Sequence, residues 1–205
     1  MEQKWLKWAK EIQALAQAGL AYSNNVYDSE RYEQLRELSK EIMASYTSVS
    51  MEKLDELFTN EVGYQTPKVD IRAFIVENGK LLLVQEKIDG KWALPGGWAD
   101  VGLSPSEIAV KESVEEANIV VKPKRVLAIY DYLKHEHPPS PYHVYKIFIL
   151  CERTGGDLKG GLETHQVKFF SPDQLPELSV ERNTKAQILQ LWEDVSHNRQ
   201  LTRLD

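Results

Sequence analysis

An α+β fold, with a small helical domain ahead of a larger domain of mixed strands and helices, follows from three features of the sequence. Apolar residues recur every three or four positions through the first sixty residues. From Gly63 onward the pattern changes to short runs rich in β-branched and aromatic residues, and two further helical segments interrupt those runs. The expected boundaries are a helical domain over 1–62 and a mixed domain over 67–205.

Trp5, Trp8, Ile12, Leu15 and Gly19 stand three or four apart, with Leu6, Ala9 and Ala16 widening the stripe, so the first helix has one apolar face. After Ser23-Asn24-Asn25, Asp28 or Ser29 offers a cap for a second helix carrying Tyr32, Leu35, Leu38, Ile42 and Tyr46 on one side. Ser50 offers a cap for a short third helix with Leu54, Leu57 and Phe58. Three short helices bury little on their own. The segment is therefore a candidate dimerisation element that would make the protein a homodimer, the alternative being a helical cover over the rest of the chain.

In the second domain, residues 69–76 and 81–85 flank Asn78-Gly79, a type I′ turn signal, and form a hairpin. Further strands are expected over 91–94, 119–121, 125–130, 143–151 and 167–170. Helices are expected over 104–117 and 181–195, the latter turning Ala186, Leu189, Trp192 and Val195 inward.

The net charge is −6, from 25 Lys and Arg against 31 Asp and Glu, with −4 in residues 1–66 and −2 in residues 67–205. Mixed signs without a basic stripe argue against a broad nucleic-acid-binding surface. The single cysteine, Cys151, follows Ile147-Phe148-Ile149-Leu150 and reads as a core thiol in a reducing compartment. No apolar run approaches the roughly 18 residues of a membrane span, and the amino terminus lacks a basic-then-apolar signal. A cytoplasmic protein without a membrane partner is expected.

The chemistry concentrates between Leu94 and Ile119. Ser104, Pro105 and Glu107 make a capping box with proline at the first helical position, so a helix begins there. Within it Glu112, Glu115 and Glu116 fall at i, i+3 and i+4 on one face. Each such like-charge pair costs an isolated helix about 0.2–0.5 kcal/mol, so the cluster is either a solvated acidic face or is neutralised by a cation. Oxygen-only donors suit Mg²⁺ or Mn²⁺. Pro95-Gly96-Gly97 stands just ahead, where glycine lets backbone approach a cation closely.

Aligned on Gly97, this stretch resembles the Nudix hydrolase signature G-x5-E-x7-R-E-U-x-E-E-x-G-U without a gap: Lys111-Glu112 meets its Arg-Glu, Glu115-Glu116 its Glu-Glu, and Ile119 its last aliphatic position. Four positions depart: Leu103 for the first glutamate, Lys111 for arginine, Ser113 for an aliphatic residue and Asn118 for the closing glycine. Leu103 and Lys111 read as one coupled change that removes the family's loop-to-helix ion pair. The resemblance implies a Nudix-type α/β/α sandwich with a mixed sheet. It also implies metal-dependent hydrolysis of a nucleoside diphosphate linked to a group X, with Mg²⁺ or Mn²⁺ on Glu112 and Glu116, on Glu115 directly or through water, and on the Gly96 carbonyl.

A further acid or base in this family often comes from a late loop, which makes Glu163 the candidate and His165 the weaker choice. Segments at both ends of the chain are also similar to bacterial Nudix proteins with a helical extension, described as ADP-ribose or CDP-choline pyrophosphatases. The Gly-Gly-Trp-Ala-Asp-Val-Gly loop looks most like the latter, which implies CDP-choline cleaved to CMP and phosphocholine. ADP-ribose, an RNA end, or nucleotide-sugar sensing without hydrolysis are the alternatives. Trp98, Tyr130, Tyr132 and Tyr142 are aromatic candidates for stacking on a base or facing a choline cation. Arg72, in phase with Asp70 on its strand, either reaches phosphate or pairs with that neighbour.

Overall fold

The computed structural model describes residues 3–47, 50–54 and 63–205. They form two compact units, Met1–Pro67 with Pro139–His143, and Lys68–Pro138 with Val144–Asp205.

In the first unit, helices α1 (Lys4–Tyr22) and α2 (Val26–Tyr46) pack on each other around Leu6, Ala9, Met43 and Leu54. The cap of α2 is Asn25, not Asp28 or Ser29: its Oδ1 accepts from the Tyr27 amide at 2.9 Å, while Asp28 sits in the first turn and pairs with Arg31. The buried faces match the expected stripes in part: Leu6, Ala9 and Ala16 are buried as expected, and Trp5 and Ile42 pack beside them. Helix α1 turns Leu6, Ala9, Gln13, Ala16 and Gln17 inward, and α2 turns Ser39, Lys40 and Met43, whereas Trp8, Leu15, Leu35, Leu38 and Tyr46 are exposed. Small residues at the contact select this face. The Ser39 hydroxyl donates to the Ala9 carbonyl at 2.8 Å, and a Cβ on Gly19 would lie 2.4 Å from the Tyr32 ring. Residues 51–54 make a helical turn in which the Leu54 amide donates to the Ser50 carbonyl. Leu57 and Phe58 of the expected third helix lie outside the described residues.

The second unit is a mixed sheet between two helices. Its strands are β1 (Lys68–Glu77), β2 (Lys80–Glu86), β3 (Trp92–Ala93), β4 (Gly96–Trp98), β5 (Ile119–Asp131), β6 (Val144–Gly156), β7 (Thr164–Phe170) and β8 (Arg203–Leu204). The order is β3-β2-β1-β6-β5-β8, with β4 on β1 and β7 on β2. β1 lies parallel to β6, β5 lies parallel to β8, and the other pairings are antiparallel. Positive φ at Asn78 and Gly79 closes the β1–β2 hairpin as the turn signal requires.

Alternation along β1 divides the core. Ile71, Ala73 and Ile75 pack with Ile108, Ala109 and Ala117 of α3 (Pro105–Ala117). Phe74 packs with Ile188 and Leu191 of α4 (Lys185–Ser196). This is the α/β/α sandwich that the signature implies. The two strands expected over 119–121 and 125–130 are one, β5, with irregular pairing around Pro123, where a missing amide is tolerated. Helix α4 starts at Lys185 because Thr184 and Gln187 form a reciprocal capping box; Ile188, Leu191 and Asp194 are buried, while Ala186 and Leu189 are exposed. Of the residues expected to face inward, Trp192 and Val195 pack against the core and Ala186 and Leu189 do not.

Candidate active site

The turn between β3 and β4 is built from backbone groups that each find a partner. The Leu94 amide donates to Asn183 Oδ1 at 2.8 Å, and the Leu94 carbonyl accepts from Arg72 Nη1 at 3.1 Å. The Pro95 carbonyl accepts from the Ala73 amide at 2.8 Å, and the Gly96 amide donates to Glu116 Oε2 at 2.9 Å. Gly96 has φ +149°, and a Cβ there would lie 2.0 Å from the Ile71 carbonyl oxygen, so only glycine brings this strand against β1. A Cβ on Gly97 would lie 3.2 Å from the Glu112 carboxylate, which places that side chain against the turn.

Helix α3 supplies the three acids. The Ser104 capping box is formed, and Asn118, left-handed at φ 54°, closes the helix in place of the family's glycine. Ser113, at an aliphatic position of the signature, is fully buried and donates to the Ala109 carbonyl one turn back. Glu116 is 4% exposed, and burial pushes its carboxyl up to about 8 against the opposing effects of Arg72 and the Gly96 amide. Burial also raises Glu112, with Lys111 opposing. Lys111 Nζ lies 3.2 Å from Asp100, 3.4 Å from Glu112 and 2.9 Å from Glu115. The hydrogen bond to Glu115 leads the effects that raise the ammonium pKa, joined by Asp100 and Glu112. The ion pair between positions 103 and 111 is absent as expected, but another loop-to-helix pair stands near it. Its acid comes from Asp100, three residues before Leu103, a substitution that spacing along the signature does not reveal.

Among the described residues, no three His, Cys, Asp or Glu side chains gather closely enough to form a ready-made metal cage. Mg²⁺ does not require one, since it commonly binds one or two carboxylates together with water and substrate phosphate. The donor chemistry fits such an ion: two partly or wholly buried carboxylates, Glu112 and Glu116, lie beside backbone that glycine keeps open.

Glu163 is exposed on the loop that leads into β7. That loop is fastened to the end of α3: Thr164 Oγ1 donates to the Glu116 carbonyl at 2.6 Å and accepts from the Gly161 amide. A Cβ on Gly161 would lie 1.7 Å from the Glu115 carbonyl oxygen. The sequence does not single out Thr164, whose partner lies on another element. His165 is exposed on the same segment. Trp98 ends β4 and is 52% exposed. Tyr130 and Tyr132 are buried, bonded to Gln190 and to the Pro138 carbonyl, and act in packing. Tyr142 belongs to the helical unit rather than to the one carrying the glutamates.

Of the two expectations for Arg72, the pairing with Asp70 is realised. Nε and Nη2 bond to that carboxylate at 2.7–3.1 Å, and Lys146 Nζ bonds to its other side at 2.5 Å. Burial raises the Asp70 pKa, but the two cations outweigh it and leave it at about 2.

A NUDIX domain model matches residues 66–192, and a model described as a UDP-X-like, N-terminal oligomerisation domain matches residues 3–58. A Bacillus subtilis (strain 168) protein provisionally named ADP-ribose pyrophosphatase YjhB is 47% identical over 205 residues, covering 100% of this chain and 99% of its own. A crystal structure of a UDP-X diphosphatase is 34% identical over 98% of both chains, with a TM-score of 0.65. That of an ADP-ribose pyrophosphatase from Streptococcus suis 89-1591 is 44% identical over 68% of this chain and 100% of its own, with a TM-score of 0.63. Fold, acid-bearing helix and matched models agree on a phosphoanhydride-cleaving class of enzyme. The chain belongs to the NUDIX family of hydrolases.

The buried Glu116 carboxyl makes ion-free stability depend on pH. Its folded value, about 8, lies above the ordinary 4.5, so the folded protein holds the extra proton between them. This contribution is fully present below pH 4.5 and is lost as pH rises through 8. In chelator, the resistance of wild type to urea is expected to fall over that window relative to Glu116→Gln; parallel pH profiles would refute the assignment.

Proposed function

We propose that this protein hydrolyses the diphosphate bridge of a nucleoside diphosphate linked to a second group, with a divalent cation, Mg²⁺ or Mn²⁺, held by Glu112, Glu116 and the Gly96 carbonyl and assisted by Glu115. The observation that carries the reading is the Glu116 carboxylate. It is buried, hydrogen-bonded to the Gly96 amide and raised in pKa, so it is a site whose charge is completed by a bound cation. A surface acid serving only solubility has no need of that cost.

A divalent cation held by these residues would offset the charge of the diphosphate and would lower the pKa of a water. Glu112 and Glu116, on successive turns of α3 with their carboxylates against the Gly96-Gly97 backbone, would hold it. Glu163, on the loop fastened to the Glu115–Glu116 backbone, takes the proton of the attacking water. The water oxygen joins one phosphorus, the bridging P–O bond breaks, and the proton passes to the leaving phosphate. Trp98, on the exposed end of β4, stacks on the base or the second group. The names of two relatives support ADP-ribose as the conjugate, and the resemblance of the Gly96–Gly102 loop supports CDP-choline. UDP-linked compounds enter through the name of a third relative, and an RNA end remains the polymeric alternative. The buried, unpaired Cys151 is consistent with a cytoplasmic setting.

Product analysis on ADP-ribose, CDP-choline, a UDP-sugar and a short 5′-triphosphorylated RNA, with Mg²⁺, Mn²⁺ or chelator, tests the reading. A nucleoside monophosphate released only with metal is the expected result, and Glu116→Gln lowers turnover at least about a hundredfold with Glu163→Ala also impaired. Turnover in chelator contradicts the mechanism. Binding of a conjugate without turnover returns the sensor alternative.

The helical unit joins two copies. Trp8, Leu15 and Tyr22 fall seven apart on α1 and are 57%, 68% and 70% exposed, an apolar line of the kind a second helix covers. Light scattering is expected to give twice the chain mass for wild type and a single chain for Trp8→Glu/Leu15→Glu. A monomeric wild type would refute the pairing.

A further inference from the structure

Arg72 and Asn183 grip the same residue from opposite sides. The Leu94 amide goes to Asn183 and the Leu94 carbonyl to Arg72, one on each side of the Leu94 Cα, two residues ahead of Gly96. Both side chains are buried, at 5% and 0% exposed. Arg72 is itself immobilised. Nε and Nη2 are held by Asp70, a carboxylate that Lys146 fixes from the other side through the parallel pairing of β1 and β6, where Asp70 stands opposite Lys146. Nε and Nη2 thus serve Asp70 while Nη1 serves the Leu94 carbonyl, which ties the guanidinium to the turn. Arg72 also stands opposite Gly96 in the β1–β4 register, so the residue that anchors Leu94 is the strand neighbour of the glycine whose amide meets Glu116.

The reading above gives the Gly96 backbone and Glu116 to the cation, and this inference rests on it. We propose that Arg72 and Asn183 are positioning residues that set the Leu94–Gly97 turn for cation binding, and that Arg72 does not contact substrate. A lysine at position 72 keeps the positive charge but loses the planar fork that satisfies Asp70 and Leu94 together. Alanine at position 183 frees the Leu94 amide from the opposite side without touching the Asp70 cluster.

Mn²⁺ binding to the full chain, read by electron paramagnetic resonance of the free ion, tests this separately from turnover. Arg72→Lys and Asn183→Ala are each expected to weaken Mn²⁺ binding about tenfold, the scale of losing a group that orients a metal ligand. At saturating Mn²⁺, KM for the conjugate stays within about threefold of wild type, since neither side chain meets the substrate. Circular dichroism and thermal unfolding establish that each variant folds; if Arg72→Lys does not, Asn183→Ala decides. Unchanged Mn²⁺ affinity in the folded variants overturns the inference, as does a raised KM at saturating metal for Arg72→Lys, which would make Arg72 a substrate contact. A wild type that bound no Mn²⁺ would instead remove the reading beneath it.

Discussion

The hydrogen bond from the Gly96 amide to the Glu116 carboxylate joins the two parts of the signature that the sequence holds twenty residues apart. One end lies on a turn whose neighbouring peptide groups are each satisfied, and the other on a helix whose start and finish are both capped. A carboxylate buried to this degree carries a large desolvation cost when ionised, and one amide does not offset it. Burial thus biases Glu116 toward the protonated acid, and the proposed cation would favour its carboxylate. Lys111 manages the more exposed side of the same face, where Asp100, Glu112 and Glu115 share its ammonium. Such exposed pairs contribute little to stability, so their value is in orientation.

Behind the turn lies a set of charges in which each acid meets at least one cation. Asp70 receives Arg72 along its own strand and Lys146 from β6, while Glu86 on β2 pairs with Arg182 at 2.7 Å. Buried ion pairs are weak sources of stability compared with apolar packing, because desolvation consumes most of the attraction. What the Asp70 set does here is direct a guanidinium at one carbonyl. The parallel β1–β6 register makes that possible by setting Lys146 opposite Asp70.

Local chemistry was legible in the sequence wherever a few neighbouring residues decide the outcome. The capping box at Ser104, the left-handed Asn118 and the Asn78-Gly79 hairpin each depend on contacts within four residues, and each stands as expected. Helix faces were legible only in part, because the expected stripe held both the small residues that set the contact and large ones that lie outside it. Ala9, Ser39 and Gly19 let α1 and α2 approach and left Trp8 and Leu15 outside. Thr164, Asp100 and Asn183 carry no local signature, since their partners lie on other elements or across a loop. Arg72 was noticed as a phosphate or Asp70 partner. Its bond to Leu94, twenty-two positions away, appears only once β1 and β4 are paired.

Anomalous diffraction from crystals grown with Mn²⁺ addresses the central claim most directly, since it locates the ion without reference to activity. The account predicts a peak coordinated by Glu112, Glu116 and the Gly96 carbonyl, with the Leu94–Gly97 turn unchanged. A peak on Asp100 and Glu115 in place of the Lys111 ammonium, with Glu116 still bonded only to the Gly96 amide, would contradict it.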